Sequence, residues 1–183
     1  NDHVRYEGAT RYETALAVAE AFKKARGIEE FQNVIVASGE NYPDALTGAY
    51  LGKVKDAPMI LVKSKNEQTI ADYIKENLAE NGTVYILGDK QAVSDNFQKK
   101  LGGIAVKRLG GPTRYETNLL ILKEAGVDSS YTGEILICSG LGFADSLSAS
   151  ATGKPILIVG KSVLNSQKEF LAGLASAKYY VIG

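Results

Sequence analysis

The chain is written nearly twice, and that duplication limits its possible folds more than any other property. "GATRYETA" (8–15) returns as "GPTRYETN" (111–118), and "ASGENYPDAL" (37–46) as "CSGLGFADSL" (138–147). "APMILV" (57–62) returns as "KPILIV" (154–159), and "VYILG" (84–88) as "YYVIG" (179–183). The offsets shrink in order: 103 residues for Arg11 and Arg114, 101 for Asp44 and Asp145, 97 for Pro58 and Pro155, 95 for the last pair. Ordered matches with a small drift mark one unit duplicated with short loop deletions. The expected division is residues 1–9 as the end strand of a preceding unit, 10–110 as a first unit and 111–183 as a second. The second unit lacks a helix and a strand at its C-terminus. A final parallel strand with nothing after it leads to the expectation that the native protein continues.

Within a unit, strand and helix patterns alternate. "NVIVASG" is a continuous β-branched run ended by Ser-Gly, hence a buried strand. "YPDALTGAYLG" reads as a helix opened by Pro43, "PMILVK" as a second strand, and "TIADYIKENLAE" as a helix with Ile70, Tyr73, Ile74 and Leu78 on one face. "TVYILG" is a third strand. "AVSDNFQKKLG" is a helix with Val93, Phe97 and Leu101 inward, and "IAVKRLGG" a fourth strand. "HVRYEG" at the N-terminus is the equivalent of that fourth strand. Strands alternating with helices predict an α/β fold with parallel sheets flanked by helices on both faces.

Composition excludes several classes of function. Twenty-one basic residues balance twenty-one acidic ones, so no global field draws the chain to nucleic acid, and charged partners must be met by local clusters. No apolar run is long enough to insert into a membrane. Cys138 and His3 are the only residues of their kinds; neither a disulfide framework nor a His/Cys metal site is expected, and no cofactor fingerprint is present.

Thr10 with Glu13, and Thr113 with Glu116, fit the capping box at a helix start. Tyr12 begins an apolar stripe with Ala15, Leu16, Ala19 and Phe22. Arg11 and Arg114 have no such explanation, because a cation among the unpaired amides of a first turn is disfavoured by roughly 0.3–1 kcal/mol. Two accounts remain open: pairing with a carboxylate, Asp44 or Glu13, or holding a ligand anion together with the helix amides. In open parallel sheets ligands collect outside the carboxyl ends of the strands. The residues expected there are Ser38, Gly39, Lys63 and Arg11 in one unit, and Ser139, Gly140, Lys161 and Arg114 in the other. Asp44 and Asp145 follow in the first turn of the next helix.

Taken together, "RYET" opening a helix, "ASGENYPDAL" or "CSGLGFADSL", "PMILV" or "PILIV", "VYILG" or "YYVIG", and "AVSDNFQKKL" before "RLGG" resemble the cell-wall-binding repeat type 2 family of Gram-positive surface proteins. The resemblance covers almost the whole chain. It implies tandem Toprim-like repeats, usually three packed as a pseudo-trimer, so further copies of the repeat are expected partners. It also implies a non-catalytic, extracellular anchor that holds S-layer and other surface proteins on anionic, teichoic-acid-like cell-wall polysaccharide. The arginines and a "PILL"-like stretch are associated with polymer binding, and here that stretch begins at Pro58 and Pro155. This chain departs from the family in showing two repeats.

Two other readings stand beside it. In one, the repeats only pack on one another or build a lattice. In the other, the module is a hydrolase acting on cell-wall material. For the latter, neither Ser38 nor Ser139 lies in a Gly-x-Ser-x-Gly elbow, and no internal histidine supplies a base. A meeting of Asp44 with Glu13 across a crevice would be the remaining route to catalysis.

Overall fold

The computed structural model describes residues 3–174 and 176–183. The first unit comprises α1 (Arg11–Arg26), β1 (Phe31–Ser38), α2 (Tyr42–Lys55), β2 (Met59–Val62), α3 (Glu67–Asn77), β3 (Leu78–Leu87), α4 (Asp95–Lys100) and β4 (Ala105–Leu109). The second comprises α5 (Arg114–Glu124), β5 (Glu134–Ser139), α6 (Ala144–Ser150), β6 (Ile156–Val159), α7 (Asn165–Ala172) and β7 (Lys178–Ile182). The strands form two sheets, ordered β2-β1-β3-β4 and β6-β5-β7, and every pairing is parallel. The fold is the α/β arrangement of parallel sheets flanked by helices that the alternation predicts.

Because side chains alternate along a strand, β1 feeds two layers at once. Val34 and Val36 pack with α1, α3 and α4 through Ala19, Ile70, Ile74, Phe97 and Leu101. Ile35 and Ala37 pack on the other face with Leu51 of α2, Ile121 of α5 and Ala125 just beyond its end. Helix α5 opens the second unit but is common to both cores. Its opposite side places Leu119 and Leu122 against Ile135, Leu157 and Phe170 of the second sheet. Ile121 and Leu122 are both fully buried, and each such burial contributes about 1.5–3 kcal/mol.

Three segments differ from their sequence reading. Leu78, expected on the inner face of α3, is the first residue of β3 and pairs with Phe31. The helix "AVSDNFQKKLG" shortens to α4, because the Ser94 hydroxyl accepts the Phe97 N–H at 3.0 Å and starts the helix there. Residues 3–8 form no strand, and Val4 and Tyr6 are exposed. A strand needs a ladder partner: the equivalent residues 105–109 pair with β3, whereas no described strand pairs with 3–8.

Candidate functional site

The carboxyl ends of the strands carry the same small construction in both units. The Ser38 hydroxyl accepts the Glu40 N–H at 3.2 Å, and the Ser139 hydroxyl accepts the Leu141 N–H at 3.2 Å. Each serine turns the chain out of its strand. The turn presents the carbonyls of Gly39 and Gly140 outward. Nη1 of Arg11 donates to Gly39 O at 2.8 Å, and Nη1 of Arg114 donates to Gly140 O at 3.0 Å. The glycines are needed for close approach: a Cβ on Gly39 would stand 2.3 Å from the Tyr12 ring, and one on Gly140 2.8 Å from the Tyr115 ring.

Arg11 is not bound to Asp44 or Glu13. The Glu13 carboxylate accepts the Thr10 N–H at 2.9 Å, closing the capping box of α1. At α5 the Thr113 hydroxyl accepts the Tyr115 N–H and donates to the Glu116 carboxylate. Of Asp44 and Glu13, the pair a hydrolase would need, only Asp44 lines the crevice between the units, while Glu13 is engaged in the helix cap. Among the described residues neither Arg11 nor Arg114 is in a salt bridge. Each guanidinium keeps free N–H groups beside an open hollow.

Two hollows lie along this end of the sheets. The first, about 580 Å³, is lined by Thr10, Arg11, Tyr12, Gly39, Glu40 and Lys63. The Lys63 ammonium sits 4.4 Å from the centre of the Tyr12 ring, a favourable cation–π placement. The second, about 520 Å³, is a crevice between the units, with Ser38, Glu40, Asp44 and Asp89 from the first facing Thr113 and Arg114 from the second. Glu40 lines both, so the hollows adjoin.

Asp44 is 5 % exposed. Burial pushes its carboxyl up to about 6; the nearby Arg114 guanidinium opposes the rise and Asp89 adds to it. No donor among the described residues bonds to it. Gly88, at φ +96°, provides its bed: a Cβ there would stand 2.7 Å from Asp44 Oδ2. Gly183, at φ +98°, lies the same way against Asp145, whose Oδ2 is 2.5 Å from the corresponding position. Asp145 itself is exposed, whereas α5 and the turn before it cover Asp44.

Other expected site residues lie elsewhere. Pro58 and Pro155 are buried at the amino ends of β2 and β6, and their carbonyls accept the N–H groups of Ile35 and Leu136. That is the end of each sheet opposite the arginines. By strand register Lys63 corresponds to Gly160 rather than Lys161, since Val62 and Val159 occupy equivalent positions; Lys161 is exposed one residue further on. Cys138, which corresponds to Ala37, is a buried core residue, and burial pushes its thiol up.

Sequence reading passed over Arg108. Its Nη1 donates to the carbonyls of Val93 at 2.8 Å and of Gly88 and Asp89 at 3.2 Å each. It thereby holds the loop that carries Asp89 to the crevice. Asp89 Oδ1 in turn accepts the N–H groups of Gln91 and Ala92. The signal was present, because Arg5 precedes Arg108 by the same 103 residues that separate Arg11 from Arg114.

Paired α/β units, each with an arginine latched over its strand ends and sharing a crevice, define a repeat-built module whose open surface is a chain of polar hollows. The chain belongs to the cell wall binding domain 2 (CWB2) family, whose model matches residues 5–98 and 108–183; it is a cell-wall-binding module. It is 31% identical over 173 residues to the N-acetylmuramoyl-L-alanine amidase LytC of Bacillus subtilis, covering 91% of this chain and 33% of that protein. It is 31% identical over 170 residues to the amidase enhancer of the same organism, covering 87% of this chain and 22% of that protein. Among solved structures it resembles Cwp8 from Clostridium difficile, with a TM-score of 0.79, 27% identity, and coverage of 96% of this chain and 30% of that one. It also resembles Cwp6 from the same organism, with a TM-score of 0.77, 26% identity, and coverage of 99% and 30%. The chain thus spans a third or less of each of these longer proteins.

Proposed function

We propose that the chain is a non-catalytic anchor that holds a surface or S-layer protein, outside a Gram-positive cell, on anionic, teichoic-acid-like wall polysaccharide. The observation that carries this reading is the repeated guanidinium: Arg11 and Arg114 are each held by a glycine carbonyl, stand in no salt bridge among the described residues, and open to a hollow. In the hollow around Arg11, two cations face one carboxylate, which suits a phosphate. Each contact is half-solvated and weak, so strength comes from repetition along one polymer. Further copies of the repeat are natural neighbours, because Val18 of α1 stands 49% exposed at the position where Ile121 of α5 is fully buried.

The test is retention on purified walls with and without their phosphorylated polymer. Retention is expected to disappear with the polymer and to fall steeply with added salt. Arg11→Glu combined with Arg114→Glu is expected to weaken retention far more than either change alone. Binding that survives removal of the polymer would overturn the anionic-polymer reading.

A further inference from the structure

The two adjoining hollows differ in charge, and they are not repeats of one another: one surrounds Arg11 within the first unit, the other lies between the units. Around Arg11 the charged groups are Arg11, Lys63 and Glu40. In the crevice, Glu40, Asp44 and Asp89 face Arg114 alone. A phosphate accepts hydrogen bonds and donates none, so it has no partner in those carboxylates and is repelled by them. An ammonium donates and accepts nothing, so it leaves Arg114 unmatched. A hydroxyl both donates and accepts, and neighbouring sugar hydroxyls answer a carboxylate beside a guanidinium.

The second observation is Asp44 itself. It is 5 % exposed, lines the crevice, and accepts no hydrogen bond from the described residues. No fully buried side-chain oxygen among the described residues lacks a partner, so the Asp44 carboxylate keeps its lone pairs toward the crevice, where they accept from whatever occupies it. Its bed is built, since Gly88 leaves the space that a Cβ would fill. Arg108 fixes the loop on which Asp89 stands.

We propose that the crevice between the units is a subsite for an uncharged sugar residue, whose hydroxyls donate to Asp44 and Asp89 and accept from Arg114. The phosphate sits next door on Arg11 and Lys63. The subsite rests on the wall-polysaccharide reading above and refines it: one polymer repeat is read as alternating neutral and anionic parts by two adjoining hollows of opposite character.

The probe is the neutral oligosaccharide left when the wall polymer is cleaved at its phosphodiesters with hydrofluoric acid, titrated by calorimetry into the full chain. The oligosaccharide is expected to bind with an affinity that changes less than about threefold between low and high salt. Asp44→Asn and Asp89→Asn are each expected to weaken it by about tenfold, as loss of a charge-assisted bond does. Inorganic phosphate is expected not to displace it.

Three results would overturn the subsite. The first is absence of binding by the neutral oligosaccharide. The second is tighter binding of intact polymer by Asp44→Asn, which would mean the carboxylate had been repelling an anion in the crevice. The third is dependence of the Asp44 effect on alkali-labile amine esters of the polymer, which would put an ammonium there. Neutral oligosaccharide binding in a chain that ignores intact polymer would instead sink the anionic-polymer reading and leave the subsite standing.

Discussion

Asp44 shows how one residue can oppose folding and serve a site. Its carboxyl rises from 3.8 to about 6 on folding, so between those values the folded state holds a proton that the unfolded state has released. Stability is therefore expected to fall as pH rises through that window and to level off above it, a cost on the order of 3 kcal/mol from the shift between 3.8 and about 6. Asp44→Asn removes the charge and keeps the shape. Urea unfolding at pH 7 is expected to find the variant more stable by about 1–3 kcal/mol, and near pH 4 about equal to wild type. An equal gain at both values would show that burial of charge is not the cause. Gly88→Ala addresses the same bed from the other side. It forces a side chain to φ +96° and 2.7 Å from Asp44 Oδ2, and unfolding should register a loss of about 1–3 kcal/mol.

At the scale of elements, the end of α5 is clamped by charge as well as by its two apolar sides. Glu124 lies 3.0 Å from the Lys55 ammonium and 2.5 Å from that of Lys107. Burial alone would raise its carboxyl, but the hydrogen bonds from Lys107 and Lys55 outweigh it and hold the group below its ordinary 4.5. The clamp is complete above that value and is lost as pH falls through the depressed one. Glu124→Gln is expected to cost about 1–3 kcal/mol at pH 7, with the gap to wild type narrowing as pH falls below the ordinary carboxylate range; a gap with no pH dependence at all would refute the electrostatic account.

The elements themselves were largely legible, because the β-branched runs and the helical stripes keep their periods. Leu78 and the short α4 were not. An apolar residue at a helix end satisfies a strand start equally well, and only the Ser94 cap decides where α4 begins. For the site, the repeated arginines announced themselves by position. Their partners did not, because a glycine carbonyl is invisible in a list of side chains. Neither was the approach of Arg114 to Asp44 across the crevice readable, since it brings together residues from different units and needs the packing of α2 on α5. Pro58 and Pro155 were placed with the arginines by resemblance, yet four strand residues carry the chain from one end of the sheet to the other.

For the whole molecule, α5 makes two units behave as one. Ile121 closes the first core and Leu122 the second, so neither sheet keeps its full core without that helix. Calorimetry is expected to record a single transition, and Ile121→Ala to lower that one midpoint by about 2–5 kcal/mol of stability. Two separate transitions, with only the first displaced, would refute the coupling.

The double duty of α5 also governs how such a chain can be rearranged by recombination. A crossover placed where the written repeat begins, just before "TRYET", joins a foreign helix to the first sheet and loses the match of Ile121 to Leu51 and Tyr85. A crossover after the helix spares that match and breaks the one between Leu122 and Leu157. Chimeras of these units should therefore tolerate exchange at outer loops, and at the seam only when both flanking sheets travel with their helix.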